Sequence, residues 1–334
     1  MLLFNLILIF LNILIIKFHN KLNLIGIPFD YPDKVRKFHS ENILISGGSI
    51  IFLNTILCLL YLFFTNDNFT ESLFKTDLTF FSFIFLTLMF FFLGFFDDKA
   101  NINPNTKLLL LGLLFLLLII SNEVFLIKTI KLSFLKNEYF LNSFSIPFTV
   151  LCFLLFANAI NMFDGINLQS FNYNISIVMF FLINNIFFKF FILIILSLLI
   201  FGYLNYKNKS FLGDGGCYLL SFLFGSTFIA SYNLNYIEFA DTIFLLMILP
   251  GIDMLRLFII RLVNGKNPFK ADREHIHHKL LIWLGYKKTS LILAVLQFII
   301  IFLIYMGLNY IVIFLIILFF YFLFLFLSSK KIKI

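Results

Sequence analysis

Five aspartates, Asp97, Asp98, Asp164, Asp214 and Asp253, stand at or just inside the ends of long apolar runs. A carboxylate at a helix centre in hydrocarbon is disfavoured by roughly 2.5–3.5 kcal/mol, and by less near the interface, so acids retained there mark pathways or sites. Asp97 and Asp98 are adjacent in FFLGFFDDKANINPNTK, residues 91–107, with Asn101 three further on and Lys107 opening the next run. Oxygen ligands of this kind suit Mg²⁺, which keeps several waters and prefers one or two carboxylates plus substrate phosphates. Lys107 adds a point charge for a phosphate. A polar turn with a snorkelling lysine would use the same residue types, but it has no need of paired acids.

Three further segments carry chemistry. In FANAINMFDGINLQS, residues 156–170, Asn158, Asn161 and Asp164 recur at three-residue intervals on nearly one helical face, before Gly165 ends the helix. Amides and a carboxylate converging there can hydrogen-bond a base or ribose, although asparagines also bridge helices in membranes. FLGDGGCY, residues 211–218, sets Asp214 among glycines where a span begins, so that backbone N–H groups can approach an anion while the carboxylate holds its counter-ion. RLVNGKNPFKADREHIHHKL, residues 261–280, surrounds His275, His277 and His278 with Arg261, Lys266, Lys270, Arg273 and Lys279. This reads as an anion-seeking element; zinc is the alternative, but histidines at i, i+2 and i+3 are poor helical ligands beside the i, i+4 pair of zincins.

The elements that must position these groups are membrane spans. Of 334 residues, 61% are hydrophobic and 13% charged, against roughly 25% charged in soluble domains, and the mean hydropathy is +1.02. Apolar stretches fall near residues 2–18, 43–65, 78–96, 107–121, 146–162, 171–185, 187–204, 212–230, 239–260, 289–308 and 311–328. An all-α bundle of 10–11 transmembrane spans is the expected fold, forming one domain over residues 1–334 with a loop at 256–288 that carries the HxHH motif. The first run has no basic region before it and no cleavage site after it, so it reads as a retained span. If the spans alternate, the connections on one side hold 20 of the 25 Lys and Arg residues. The positive-inside rule makes that side cytoplasmic, with the N-terminus outside and the C-terminus inside, and it accounts for the net charge of +8 without nucleic acid. All five aspartates fall on that side. Cys58, Cys152 and Cys217 have no paired spacing and read as core residues.

Taken in order, these motifs resemble the polyprenyl-phosphate N-acetylhexosamine 1-phosphate transferases, glycosyltransferase family 4, over most of the chain. The likeness is carried by Pro32 through Arg36 with His39, Gly47 and Gly48; Gly94, Asp97, Asp98 and Lys107; Asn158, Asn161, Asp164 and Gly165; Asn205, Gly213, Asp214 and Gly216; Pro250, Asp253, Arg256, Arg261 and Gly265; and Pro268, Phe269, Asp272, Arg273, His275, His277 and His278. Ile276 between the first two histidines resembles the branch that starts O-antigen, enterobacterial common antigen or teichoic acid linkage units. The peptidoglycan branch, which transfers phospho-N-acetylmuramoyl-pentapeptide, has three adjacent histidines there and is the alternative. Leu168 and Cys217 depart from the glycine and serine usual at their positions.

The resemblance implies transfer of a sugar 1-phosphate, N-acetylglucosamine 1-phosphate or a related N-acetylhexosamine, from a UDP-sugar to undecaprenyl phosphate with release of UMP. It assigns catalysis to Asp97, Asp98, Lys107, His275, His277 and His278, and substrate binding to Asn158, Asn161, Asp164, Asn205, Arg261 and Arg273. Mg²⁺, with Mn²⁺ as a substitute, would be held by Asp214, Asp98 and Asp164, with Asp97 nearby. The implied setting is the bacterial inner membrane, with the site on its cytoplasmic face, lipid around it, no nucleic acid partner, and a homodimer as an option. A secondary transporter would instead place acids near mid-bilayer in repeated halves, and an intramembrane metalloprotease would use the histidines.

Overall fold

The computed structural model describes residues 2–32, 41–265 and 274–332. The apolar stretches are too long for strands, so they close their backbone hydrogen bonds internally as helices, as they must where water is absent. In chain order these are α1 (Leu2–Lys17), α2 (Gly47–Phe64), α3 (Asn68–Leu73), α4 (Asp77–Ala100), α5 (Pro104–Ser121), α6 (Ser145–Phe163) and α7 (Gln169–Ile183). They continue with α8 (Phe188–Tyr206), α9 (Gly213–Asn233), α10 (Ala240–Leu246), α11 (Ile248–Val263), α12 (Ile276–Leu284), α13 (Tyr286–Tyr305) and α14 (Tyr310–Ile332). Two short antiparallel ladders complete the described elements, β1 (Phe29–Asp30) with β2 (Ile43–Leu44), and β3 (Thr129–Ile130) with β4 (Tyr139–Phe140).

Eight of these helices are long and apolar enough to cross a bilayer, and the chain is a multi-pass membrane protein. The three other expected spans are present in altered form. α10 and α11 form a pair bent by 75° at Met247 that is apolar enough to cross only if both are taken together, while α1 and α7 are apolar but shorter than a full crossing. The segment 256–288, expected as a loop, begins with the last turns of α11 and contains α12. Arg256 and Arg261 made it look loop-like, yet Arg261 is 4% exposed within the helix.

α9 is the axis of the bundle, with every residue from Gly215 to Tyr232 buried. It tolerates that position because it is rich in small residues whose hydroxyls bond back to their own helix, as Ser221 does to the Cys217 carbonyl at 2.6 Å and Thr227 to that of Leu223 at 2.7 Å. Its first turn is gripped from two sides. A Cβ on Gly94 of α4 would overlap the Asp214 carbonyl, and a Cβ on Gly48 of α2 would overlap the Gly216 amide. These two glycines let three backbones meet, and that meeting places the end of α4 beside the start of α9. At the opposite end, Lys131 N–H donates to the Tyr232 hydroxyl at 2.8 Å and Ser133 N–H to Asp241, which fastens the β3–β4 hairpin to α9 and α10.

Gly94→Ala is expected to push α9 away from α4, lowering stability by about 1–3 kcal/mol, in the range of an overpacked core. Gly112→Ala, where the new Cβ would sit 3.8 Å from Leu154 Cδ1, should leave the unfolding midpoint in detergent unchanged.

Candidate functional site

At the end of the bundle where α4, α6, α8 and α11 finish and α5, α7, α9 and α12 begin, the polar residues noted in the sequence come together. Asp97, 3% exposed, accepts from Ile102 N–H at 2.8 Å and from the Tyr218 hydroxyl at 3.4 Å, and it is ion-paired to Lys107. Lys107 Nζ also lies 3.4 Å from Asp214 Oδ2, so one ammonium stands between two carboxylates on separate helices. Asn161 Nδ2 donates to the other oxygen of Asp214. Asp98 faces a different way: its two oxygens accept from the Asp214 amide at 2.9 Å and the Gly215 amide at 3.1 Å. It thus closes the N-terminus of α9, where exposed N–H groups and the helix dipole favour an anion. Gly213 makes this possible with φ +73°, a conformation in which a side chain would be strained and would run into Ile45 and Asp98.

Asp164 is the C-cap of α6. Ser170 Oγ donates to one of its oxygens and Cys217 Sγ lies 3.8 Å from the other. Burial raises its carboxyl to about 6, against the opposing pull of Ser170, Cys217 and the Gly213 amide. The turn after it has Leu168 at φ +63°, the left-handed region a glycine takes without strain, which gives a physical reason for the glycine usual at that position. Asn205, 3% exposed, fixes this turn: its Oδ1 accepts from Leu168 N–H and its Nδ2 donates to the Ser210 carbonyl at 2.7 Å. Asn158 donates to the Leu154 carbonyl of its own helix at 2.8 Å, so it does not share the contact that Asn161 makes.

The histidines form a second cluster against this turn. His275 precedes α12 in an extended conformation, and its ring stacks on His277 with centroids 5.2 Å apart and planes 12° apart. The spacing argument against a shared ligand set assumed a continuous helix; the break at His275 lets ligand atoms of Asp253, His275 and His277 lie within 4.8 Å of one another. His277 is fully buried, 3.3 Å from Gln169 Nε2 through Nδ1, and its Nε2 edge abuts Gly165 so closely that a Cβ there would overlap the ring. Burial, with His278 alongside, holds the His277 imidazole well below its ordinary pKa, so it acts as a neutral hydrogen-bonding group. Ile276 packs with Leu280, Leu293 and Tyr321. Arg261 is buried on α11, whereas Arg273 lies outside the described residues, as do His39 and the basic residues Lys266 and Lys270.

The donor sets of the two clusters differ. Asp97, Asp98, Asp164, Asp214 and Asn161 offer oxygen ligands alone, which fits a hard divalent cation, and Lys107 already shows two of these carboxylates converging on one positive charge. Several partners were not recognised in the sequence. Ser170 and Gln169 lay six and five residues beyond Asp164, across a turn whose closure was not foreseen. Tyr218 and Tyr321 were signalled only by a polar tip in an apolar run.

Residues 80–232 match the family described as glycosyl transferase family 4. The matched stretch contains Asp97, Asp98, Lys107, Asn158, Asn161, Asp164, Asn205 and Asp214, and the chain is a transferase. The chain is 26% identical over 274 residues to the probable undecaprenyl-phosphate N-acetylglucosaminyl 1-phosphate transferase of Bacillus subtilis (strain 168), covering 79% of this chain and 73% of that protein. It is 28% identical over 270 residues to the undecaprenyl-phosphate alpha-N-acetylglucosaminyl 1-phosphate transferase of Thermotoga maritima, covering 79% and 77%. A Pasteurella multocida protein of the latter name is 35% identical over 80 residues, 22% of this chain and 21% of that protein.

Asp98→Asn leaves only one oxygen to accept from the start of α9. It is expected to lower stability by about 1–3 kcal/mol, the range for an unmet buried donor, read as a lower unfolding midpoint of the protein in detergent without substrate. An unchanged midpoint would show that Asp98 does not anchor α9.

Proposed function

We propose that the protein transfers N-acetylglucosamine 1-phosphate, or the 1-phosphate of a related N-acetylhexosamine, from a UDP-sugar to undecaprenyl phosphate, releasing UMP. The observation that carries this reading is the convergence of Asp97 and Asp214 on Lys107, with Asn161 and the Asp164 turn beside them, at one end of a membrane bundle. The names of the similar Bacillus subtilis and Thermotoga maritima proteins supply the substrate class.

The chemical difficulty is charge. An oxygen of the lipid phosphate attacks the β-phosphorus of the UDP-sugar, a new P–O bond forms, and the electrons of the broken pyrophosphate bond leave on UMP. A phosphate monoester has its second pKa near 6, so the nucleophile is largely dianionic at neutral pH and needs little help from a base. Lys107 offsets charge on the diphosphate, and the imidazoles of His275 and His278 donate hydrogen bonds to it, with His277 packed behind them against the Asp164 turn. Asn161 and Asp164 position the uridine, and Arg261 and Arg273 help to hold the donor. Asp214, with Asp98 and Asp164 and with Asp97 nearby, would hold a magnesium ion, which would neutralise charge on the diphosphate. Direct attack is favoured over an aspartyl-phosphate because the oxygens of Asp98 are engaged by two amides, and Asp97 is engaged by Lys107, Tyr218 and the Ile102 amide.

The acceptor's chain needs an apolar path to the same place. A cavity of about 730 Å³ runs between α6, α9, α10, α11 and α14, lined by residues such as Phe156, Phe228, Phe244, Leu255 and Phe314. It reaches Ala159 on α6 and Ile252 on α11, within two helical turns of Asp164 and beside Asp253 in the chain. A polyprenyl tail lying there would present its phosphate to the acids. The excess of Lys and Arg in the connections on this side supports the reading that this end faces the cytoplasm, and the bacterial relatives support an inner-membrane setting.

Membranes holding the protein should release UMP from UDP-N-acetylglucosamine only when undecaprenyl phosphate and magnesium are both supplied, and added UMP should reverse the reaction. Asp214→Asn should abolish that turnover with the unfolding midpoint retained. Release of UMP at the wild-type rate by Asp214→Asn would remove Asp214 from the site.

A further inference from the structure

Asp253 is not explained by the chemistry above. It is 2% exposed, on α11, and it gathers donors from three elements. Its Oδ1 accepts from Arg256 Nη2 at 2.9 Å on the same helix, from the Ile276 amide at 3.1 Å at the start of α12, and from the Tyr321 hydroxyl at 2.7 Å on α14. Its Oδ2 accepts from His275 Nδ1 at 2.7 Å. Arg256 in turn donates through Nε to Tyr321 at 2.8 Å and through Nη2 to the Glu274 carbonyl at 2.7 Å, so the residue entering the histidine motif is clamped as well.

We propose that Asp253 is a positioning residue for the transfer reaction: it fixes the ring of His275 through Nδ1–H and the start of α12 through the Ile276 amide, so that His275 presents Nε2 to the substrate phosphates. The proposal rests on the reading of the histidines as phosphate ligands. A carboxylate that holds one imidazole nitrogen sets both tautomer and ring orientation at the other, as second partners of ligating histidines do. The Ile276 bond places the same negative charge at the N-terminus of α12, where the dipole favours it. Stacking of His275 on His277, which itself abuts Gly165, then transmits the orientation to the Asp164 turn.

The competing use of these atoms is a metal centre at Asp253, His275 and His277. Three donors crowd Oδ1 of Asp253, and His275 Nδ1–H holds Oδ2, so the His275 nitrogen that faces Asp253 is already taken as a donor. A metal would have to displace the His275 bond or its neighbours and leave buried donors unmet.

The test uses the full chain purified in detergent with UDP-N-acetylglucosamine and undecaprenyl phosphate, comparing Asp253→Asn, His275→Ala and the double variant. Asp253→Asn turns an amide toward Nδ1 and forces the wrong tautomer. It is expected to lower kcat by about 10- to 100-fold, the usual range for such partners, with the KM for the UDP-sugar changed less than about threefold. In the His275→Ala background the same substitution should change kcat less than about twofold, because both residues act through one group. Full multiplication of the two losses would overturn the positioning role while leaving the histidine reading intact. Wild-type turnover by His275→Ala would instead overturn that reading and the proposal with it. One equivalent of zinc retained by the wild type after chelator washing, and lost from both single variants, would overturn the proposal in favour of a metal centre. Should Asp253→Asn fail to fold, Tyr321→Phe removes one of its donors; a fall in kcat that disappears in the His275→Ala background supports the role, and an equal fall in both backgrounds contradicts it.

Discussion

A carboxylate beside hydrocarbon has to be met by positive charge or by directed hydrogen bonds, and the way each acid at this end of the bundle is met organises everything around it. Asp98 is met by the N-terminus of α9 and Asp253 by the N-terminus of α12, together with Arg256, His275 and Tyr321. Asp253 is taken up by the fold, and Asp98 is anchored by it with a lone pair left on each oxygen. Asp97 and Asp214 share one lysine between them, with the Ile102 amide and Tyr218 also donating to Asp97 and Asn161 to Asp214, so that two negative charges face a single positive one. The same residue type thus serves as scaffold at two positions, and at two others forms an incomplete charge set that a divalent ion and a diphosphate can complete.

That division depends on backbone approach more than on the acids themselves. Asp98 reaches the first amides of α9 because Gly94 and Gly48 allow α4 and α2 to lie against them, and because Gly213 turns the chain into the helix. α9 can occupy the middle of the bundle because Ser221, Ser226 and Thr227 bond back to carbonyls of the same helix, while Tyr218 and Tyr232 find partners on neighbouring segments. The histidine motif reaches the Asp164 turn for a similar reason, since Gly165 offers His277 a surface without a side chain. Substitution of any of these glycines would move a polar group without touching one.

Much of this could be read from the residues. Long apolar runs located the spans, and the acids at their ends pointed to the polar residues that the structure brings together at one end of the bundle. Bending at Met247 had a signal that hydropathy masks, because Pro250 has no N–H for the Leu246 carbonyl, which accepts from Gln297 instead, while the apolar run continues unbroken across the bend. The contrast between Asp97 and Asp98 was not legible: they are neighbours in sequence but point to different partners because one helical step turns a side chain by about 100°. Asn158 shared the helical face of Asn161 by spacing, yet its amide found the Leu154 carbonyl one turn back, a local bond that periodicity does not distinguish from a ligand position. Tyr321 gave least warning, standing in a phenylalanine-rich run far from any motif.

The central claim is that these acids, amides and imidazoles share one face of the membrane. Single cysteines placed at Asn101, Asn167, Asn208 and Gly285, and separately at Asn66, Lys136, Asn235 and Asn309, in a chain with Cys58, Cys152 and Cys217 replaced by serine, can be probed with a membrane-impermeant maleimide in intact cells. The account predicts that the second group labels in intact cells and that the first labels only after the membrane is opened. Labelling of Asn101 and Asn208 positions from opposite sides would contradict it.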